Sequence, residues 1–298
     1  MIEDRPLIYK YLRHDKKFPH VWCPGCGIGI LLGSLIRAID RLEYTKDEIV
    51  MVSGIGCTGR LPVYVDFNTL HTTHGRALTF ATGVKLAKPD LKVIVVMGDG
   101  DATAIGGNHF IHAARRNLDL TAIILNNSIY GMTGGQYSPT TPYGQKATTA
   151  VYGTVEPSFN IAQLAGCAGA IFAARGTVYH VRLLDTLIEK ALQKNGFGVV
   201  EVISQCHTHF GRLNKRGNQV EMMKWQRDHA VPAEKAGKMT PEEMADKFEI
   251  GILVDREAPT YLDEYAKVRE RAKAALPPPV ESREEKEESD RREASDRH

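Results

Sequence analysis

Two groups of residues in this sequence have the types and spacing to do chemistry. The first is Gly98-Asp99-Gly100-Asp101, followed further on by Asn126-Asn127. A carboxylate and an amide oxygen brought together suit a hard cation such as Mg²⁺, which keeps other positions for phosphate oxygens and water. The glycines let backbone amides approach phosphate, and a helix N-terminus beside them adds a favourable dipole. The second group is Cys23-Pro24-Gly25-Cys26, Cys57 within Gly54-Ile55-Gly56-Cys57-Thr58-Gly59-Arg60, and the distant Cys206. Three chemistries compete for it: a thioredoxin-like redox pair, a structural zinc, and a [4Fe–4S] cluster on four thiolates. A redox pair expects a strand before the motif, and none is predicted there. Zinc sites usually come as two short pairs. On local sequence, zinc and iron–sulfur stay nearly balanced.

These residues need a frame to hold them. Short β-branched runs at residues 48–53, 92–97, 120–125, 170–173 and 198–203 read as buried strands. Val93-Ile94-Val95-Val96 and Ala122-Ile123-Ile124-Leu125 are continuously apolar, as expected of strands covered on both faces. Helix-length segments at 28–42, 75–87, 106–116, 159–165 and 183–194 lie between them. The alternation predicts an α/β fold, a mainly parallel sheet flanked by helices. Ligands of such sheets bind beyond the carboxyl ends of the strands. Asp99 and Asn126-Asn127 leave two such ends, and residues 101–125 between them span about one crossover.

Beyond Cys206 the pattern loosens into an irregular C-terminal extension. It holds a basic patch (Arg212, Lys215, Arg216), a helix start at Thr240-Pro241-Glu242-Glu243 and a charged helix at 261–276. Pro277-Pro278-Pro279 then ends regular structure, and 281–298 is too charged to bury a core. The expected divisions are 1–207 for the cofactor-binding domain, 208–276 for the extension, and 277–298 for a disordered tail. The chain has 298 residues, 43% of them hydrophobic, enough for a core without disulfides. Five cysteines and a net charge of +2 point away from a secreted scaffold and give no reason to expect nucleic acid or a membrane surface. Residues 1–17 lack an apolar signal core, so a cytoplasmic protein is expected.

Gly-Asp-Gly followed at this separation by Asn-Asn resembles the fingerprint of thiamine-diphosphate enzymes. On that resemblance Asp99, the Asn127 side chain and the Ile129 carbonyl hold Mg²⁺, while Gly98, Gly100, Asp101, Gly131, Met132 and Thr133 line the diphosphate. A tight turn and a plain strand exit would explain each motif alone but not their pairing. Thiamine diphosphate with a 2-oxoacid yields electrons that a nearby cluster can take singly, which favours iron over zinc. Cys23, Cys26, Cys57 and Cys206 then match the ligand spacing of 2-oxoacid:ferredoxin oxidoreductase β subunits. The chain resembles that family from Phe18 to about His209, through residues 22–27, 54–62, 71–76, 96–108 and 126–142. The stretch 131–142 is most similar to the 2-oxoglutarate-acting members.

The resemblance implies CoA-dependent oxidative decarboxylation of 2-oxoglutarate to succinyl-CoA and CO₂, with electrons passing through one [4Fe–4S] cluster to ferredoxin, and reductive carboxylation in reverse. It implies an α subunit carrying the other half of the thiamine site, in an (αβ)₂ assembly, with the 208–276 extension packing on that subunit. Arg60, on a glycine-flanked loop, would pair with a substrate carboxylate, and His74 would bond cofactor or intermediate. His207 and His209 are expected to hydrogen-bond near the cluster; His71, His109 and His112 carry no assigned role. Cys167, in Ala165-Gly166-Cys167-Ala168-Gly169, is expected to pack in the core. The competing readings are the same family acting on pyruvate or branched 2-oxoacids, a non-oxidative thiamine decarboxylase or carboligase, and a zinc-stabilised binding module.

Overall fold

The computed structural model describes residues 6–15 and 18–275. In chain order the elements are α1 (Ile8–Tyr11), α2 (Ile28–Arg41), β1 (Ile49–Ser53), β2 (Asn68–His71), α3 (Ala77–Ala87), β3 (Lys92–Gly98), α4 (Gly107–Arg115), β4 (Thr121–Asn126), α5 (Ile161–Ala168), β5 (Phe172–Thr177), α6 (Val181–Gln193), β6 (Gly198–Ile203), α7 (Gln219–His229), β7 (Ala230–Pro232), α8 (Ala233–Ala236), β8 (Phe248–Asp255) and α9 (Tyr261–Ala275). The strands form one sheet in the order β2-β1-β3-β4-β6-β5-β8-β7. All pairs are parallel except β5 with β8.

The apolar runs explain the layers. Side chains alternate across a strand, so Ile49 and Met51 join one core while Val50 and Val52 join the other. The first core packs under α2 and α6, through Leu31, Leu35, Ile39, Leu184 and Ile188. The second packs under α3, α4 and α5, through Leu78, Ala81, Phe110 and Ile161. From β1 the chain moves outward to β2, whereas from β3 it crosses to β4 on the other side. The crevice between the ends of β1 and β3 is therefore a topological switch point, where such sheets bind ligands.

Differences from the sequence reading fall mostly at the edges. Strands β2 and β7 are short and β8 is broken by Gly251, and none was expected; β8 lies antiparallel to β5, so part of the C-terminal extension completes the sheet. The expected helix at Thr240 is a run of turns. Its cap forms, with Thr240 N donating to Glu243 Oε2 (2.8 Å) and Glu243 N to Thr240 Oγ1 (3.3 Å), but no apolar stripe follows to propagate it. Cys167 is exposed, not in the core. The buried stripe of α5 runs through Ile161, Ala162 and Ala165, and Cys167 lies off it. By contact density the chain divides into Met1–Leu262 and Asp263–His298; the described part of the second is helical, with no side chain of α9 fully buried. The expected breaks at 277–279 and the charged tail lie outside the described residues. No helix among the described residues is long and apolar enough to cross a membrane.

Candidate active site

β3 and β4 pair in register, Gly98 opposite Leu125, so Asp99 and Asn126 leave the sheet side by side. Asp99 is 2% exposed. Its Oδ2 accepts hydrogen bonds from Ser138 Oγ (2.5 Å) and from Thr140 Oγ1, both on a loop that returns over the strand end. Burial pushes the Asp99 carboxyl up, and the two hydroxyls only partly oppose it. The other carboxylate oxygen faces a different group. Asn127 Oδ1 lies 2.8 Å from the Ile129 carbonyl oxygen and 3.3 Å from Asp99 Oδ1. Three acceptors thus meet without a donor. An octahedral ion bonded at about 2.1 Å sets neighbouring oxygens about 3 Å apart, and the two contacts of the amide oxygen have about that length. Without an ion, turning the amide over lets its nitrogen donate to both oxygens; with one at the centre, the oxygen-inward orientation is the stable one. The expected trio fits the metal.

Behind the trio stands a buried network the sequence reading missed. Asn126 Nδ2 donates to Glu201 Oε1 (2.8 Å), and Asn126 Oδ1 accepts from Ser128 N (3.1 Å). Ser128 has φ +61°, and its turn swings Asn127 and Ile129 toward Asp99. Glu201, 1% exposed, also accepts from Arg175 Nε (2.9 Å) and Ala162 N (3.2 Å). Removing Glu201 leaves Arg175 Nε and Asn126 Nδ2 without their buried acceptor, while Arg175 keeps a longer contact to Glu249 (3.6 Å), so the loss is about 3 kcal/mol. Glu201→Ala is therefore expected to lower the thermal midpoint by roughly 10 °C and to weaken metal-dependent cofactor binding. An unchanged midpoint in a melting experiment would contradict this role.

The phosphate side is built from close backbone approaches. A Cβ on Gly100 would stand 2.3 Å from the Tyr130 ring, and one on Gly54 would stand 2.0 Å from Asp101 Oδ2. Tyr130, also missed, donates to the Gly100 carbonyl (3.1 Å). Burial, then the Asp99 and Asp101 charges, push its phenol up to about 12, so it stays a donor. Asp101 Oδ1 faces His74 Nδ1 (2.5 Å) and accepts from Gly75 N (2.6 Å) and Ile55 N (3.3 Å). Its buried Oδ2 has no partner, as expected of a group aimed at something the protein does not supply. His74 is thus tied to the turn that leaves β3. Gly98 ends β3, Met132 and Thr133 are exposed, and Thr133 closes a turn on Gln136 (2.5 Å).

The cysteines gather next to this loop. A Cβ on Gly131 would lie 3.6 Å from both Cys57 Sγ and Cys206 Sγ. Gly131 therefore stands at ordinary contact distance from two of the thiols. Burial pushes the Cys26 thiol up to about 11, with the Cys57, Cys206 and Cys23 thiols adding to it; Cys57 is raised by burial and then by Cys206 and Cys23. Cys26 and Cys57 each lie near the other three thiols of the set. Yet no three His, Cys, Asp or Glu side chains among the described residues are close enough to hold one metal ion. A single zinc would need its sulfurs about 3.8 Å apart. The four thiols are the candidate ligand set for a multi-iron cluster. Gln205 fixes its spacing, donating through Nε2 to the Gly25 carbonyl (2.8 Å) and so tying the Cys23–Cys26 turn to the Cys206 segment.

The remaining candidates are scattered. Arg60 is exposed on the short turn after Cys57. His71 Nδ1 is 2.9 Å from Ser53 Oγ. His109 and His112 lie on α4, with His112 Nδ1 accepting from Arg115 Nε (3.3 Å). His207 and His209 follow Cys206 on a π-helical turn, and Nδ1 of each is buried without a partner.

Strand order, switch-point crevice and oxygen trio define a thiamine-diphosphate-binding domain. The profile of the thiamine pyrophosphate enzyme C-terminal TPP binding domain matches residues 54–202, a span that holds Cys57 but not the other three clustered cysteines. The chain is 48% identical over 265 residues to the 2-oxoglutarate synthase subunit KorB of Methanocaldococcus jannaschii, covering 89% of this chain and 98% of that one. It is 60% identical over 199 residues to the KorB subunit of Archaeoglobus fulgidus, covering 67% and 74%. Among solved structures, it matches 2-oxoglutarate:ferredoxin oxidoreductase from Magnetococcus marinus, determined with 2-oxoglutarate, coenzyme A and succinyl-CoA bound. There the TM-score is 0.79, with 34% identity and coverage of 90% and 91%. The chain belongs to the β-subunit family of the 2-oxoacid:ferredoxin oxidoreductases.

Proposed function

We propose that this chain is the β subunit of an enzyme that oxidatively decarboxylates 2-oxoglutarate in the presence of CoA. The products are succinyl-CoA, CO₂ and two reduced ferredoxins, and the reaction is open to reversal as reductive carboxylation. The observation that carries the reading is the presence of two groups along one loop: an oxygen trio fit for Mg²⁺ that includes Ile129, and a thiol set that reaches Gly131 through Cys57 and Cys206. A non-oxidative decarboxylase has no use for the thiols, and a zinc module has none for the trio. The names of the relatives favour 2-oxoglutarate.

Bound thiamine diphosphate supplies a carbanion nucleophile and an electron sink. This chain's residues bind and orient around it. Asp99, Asn127 and the Ile129 carbonyl hold Mg²⁺; Gly98, Gly100 and Gly131 admit the phosphates; Asp101 keeps His74 at the rim. Cys23, Cys26, Cys57 and Cys206 hold a [4Fe–4S] cluster for single-electron exit. Arg60, whose guanidinium is exposed, pairs with a substrate carboxylate. An α subunit completes the thiamine site in an (αβ)₂ assembly.

The test is anaerobic co-expression with the α subunit, followed by CoA-dependent viologen reduction with 2-oxoglutarate and with pyruvate. Strong reduction with 2-oxoglutarate is expected. Preference for pyruvate would overturn the substrate, and no reduction by a cofactor-loaded complex with any 2-oxoacid would overturn the reading.

A further inference from the structure

Cys23 is the exposed member of the cysteine set, while Cys26, Cys57 and Cys206 are half-buried. Cys23, Pro24 and Gly25 are exposed, and Gly25 lies against the first residue of α7, where a Cβ would stand 2.5 Å from Gln219 Cγ. The loop joining Cys206 to Gln219 is basic, with Arg212, Lys215 and Arg216 all exposed. Asn214, on the same loop, clasps the backbone of Lys146: Lys146 N donates to Asn214 Oδ1 (2.7 Å) and Asn214 Nδ2 to Lys146 O (2.9 Å). That clasp brings a fourth cation to the same face, and exposed Lys224 on α7 adds a fifth.

Nearby carboxylates offset this charge only in part. Glu221 is engaged in the capping box, accepting from Asn218 N (2.7 Å). Asp228 is paired with Arg227 (2.7 Å). The patch is also fixed in place. Arg216 N donates to Gly211 O (2.9 Å), and Asn214 N to Phe210 O (3.0 Å). Lys215 and Gly217 take φ +51° and +77°, closing the loop tightly. Trp225, 38% exposed, lies among the cations, stacked on Phe248 and His229, with Arg216 6.0 Å from its ring centre. An aromatic anchor rimmed by fixed charge has the anatomy of a protein-docking surface.

We infer that this face docks a small acidic one-electron carrier protein, at the exposed edge of the thiol set. The inference rests on the reading of the thiols as a cluster that hands on electrons. Each encounter moves one electron: the cluster is oxidised by one, the carrier is reduced by one, and no bond is made or broken. Two carriers serve each decarboxylation. Opposite charge speeds encounter and orients the carrier over Cys23, and both effects weaken as salt screens the patch.

The test compares the αβ complex with an Arg212→Glu/Lys215→Glu variant. Neither side chain enters a hydrogen bond or ion pair among the described residues, so the fold should not depend on them. Binding of a labelled acidic bacterial ferredoxin is followed by fluorescence anisotropy at about 0.05 M and about 0.5 M salt. In parallel, CoA-dependent reduction of that ferredoxin and of methyl viologen is assayed. At low salt the variant should bind ferredoxin roughly tenfold more weakly or worse, with little remaining salt dependence. Its viologen reduction, iron content and co-purification with the α subunit should stay at wild-type values. Ferredoxin binding and reduction as in the wild type would overturn the inference. So would loss of co-purification, which would make the face a subunit interface, or a raised KM for CoA with ferredoxin binding intact. A wild-type complex that reduces no viologen with any 2-oxoacid overturns the parent reading and this one with it. Normal viologen reduction with unchanged ferredoxin binding overturns this one alone.

Discussion

Asp99→Asn should remove the enzyme's hold on thiamine diphosphate while leaving the metal-free protein as stable as before, or more so. The substitution keeps size and replaces a buried carboxylate, already pushed toward its neutral form by burial, with a neutral amide. Ser138 and Thr140 retain an oxygen to bond. What disappears is the anionic corner of the trio formed with Asn127 and Ile129, and a small divalent ion is held chiefly by charge. Turnover should fall by roughly a thousandfold, about 4 kcal/mol of transition-state stabilisation. A melting experiment separates binding from folding. Wild-type complex should gain several degrees when thiamine diphosphate and Mg²⁺ are added, and the variant should gain nothing. A variant that still responds fully would show that Asp99 is not a metal ligand.

Cys57→Ser should have an equally large effect on a different step. Cys57 sits against Gly131 on the inner side of the thiol set, and its loop is pinned by Trp22 Nε1 donating to the Cys57 carbonyl (2.7 Å). Serine keeps the shape but removes a thiolate. Iron content and visible absorbance should fall sharply, and CoA-dependent electron transfer should drop at least about a hundredfold. Thiamine diphosphate binding should survive, because the oxygen trio is untouched. Cys167→Ser is the matched control: that thiol is exposed on α5, and its loss should change neither iron nor rate. If Cys57→Ser keeps its iron, the cluster assignment is wrong.

What the sequence revealed, and what it hid, follows from how local each feature is. Asp99, Asn127 and Ile129 were legible because each lies within a few residues of a strand end. Two parallel neighbours in register bring such ends together without help. The cysteine set needed more, since its local spacing suited zinc as well; the thiamine motif beside it tipped the balance. Ser138 and Thr140 were hidden because their role depends on a loop folding back over β3. Glu201, Arg175 and Asn126 come from three strands, and no spacing in the chain announces that they meet.

The fold divides the same way. Strands with both faces buried, such as β3 and β4, announce themselves as apolar runs. β2, which reads Asn68-Thr69-Leu70-His71 and lies at the sheet edge, does not, nor does β8, interrupted by Gly251 at φ +116°. Cys167 was misread because its apolar neighbours were counted without regard to helix phase. At Thr240 a good cap was taken for a helix, though a cap cannot extend a segment that has no buried face.

A metal-held thiamine site and a four-thiolate cluster are expected to work together across Gly131. Low-temperature electron paramagnetic resonance of the anaerobic αβ complex, before and after 2-oxoglutarate is added without any external acceptor, tests this most directly. The account predicts brown protein whose visible absorbance bleaches on substrate addition as the signal of a reduced [4Fe–4S] cluster appears, and Asp99→Asn should abolish that response. A colourless, zinc-containing complex, or a brown one whose cluster never responds to any 2-oxoacid, would contradict it.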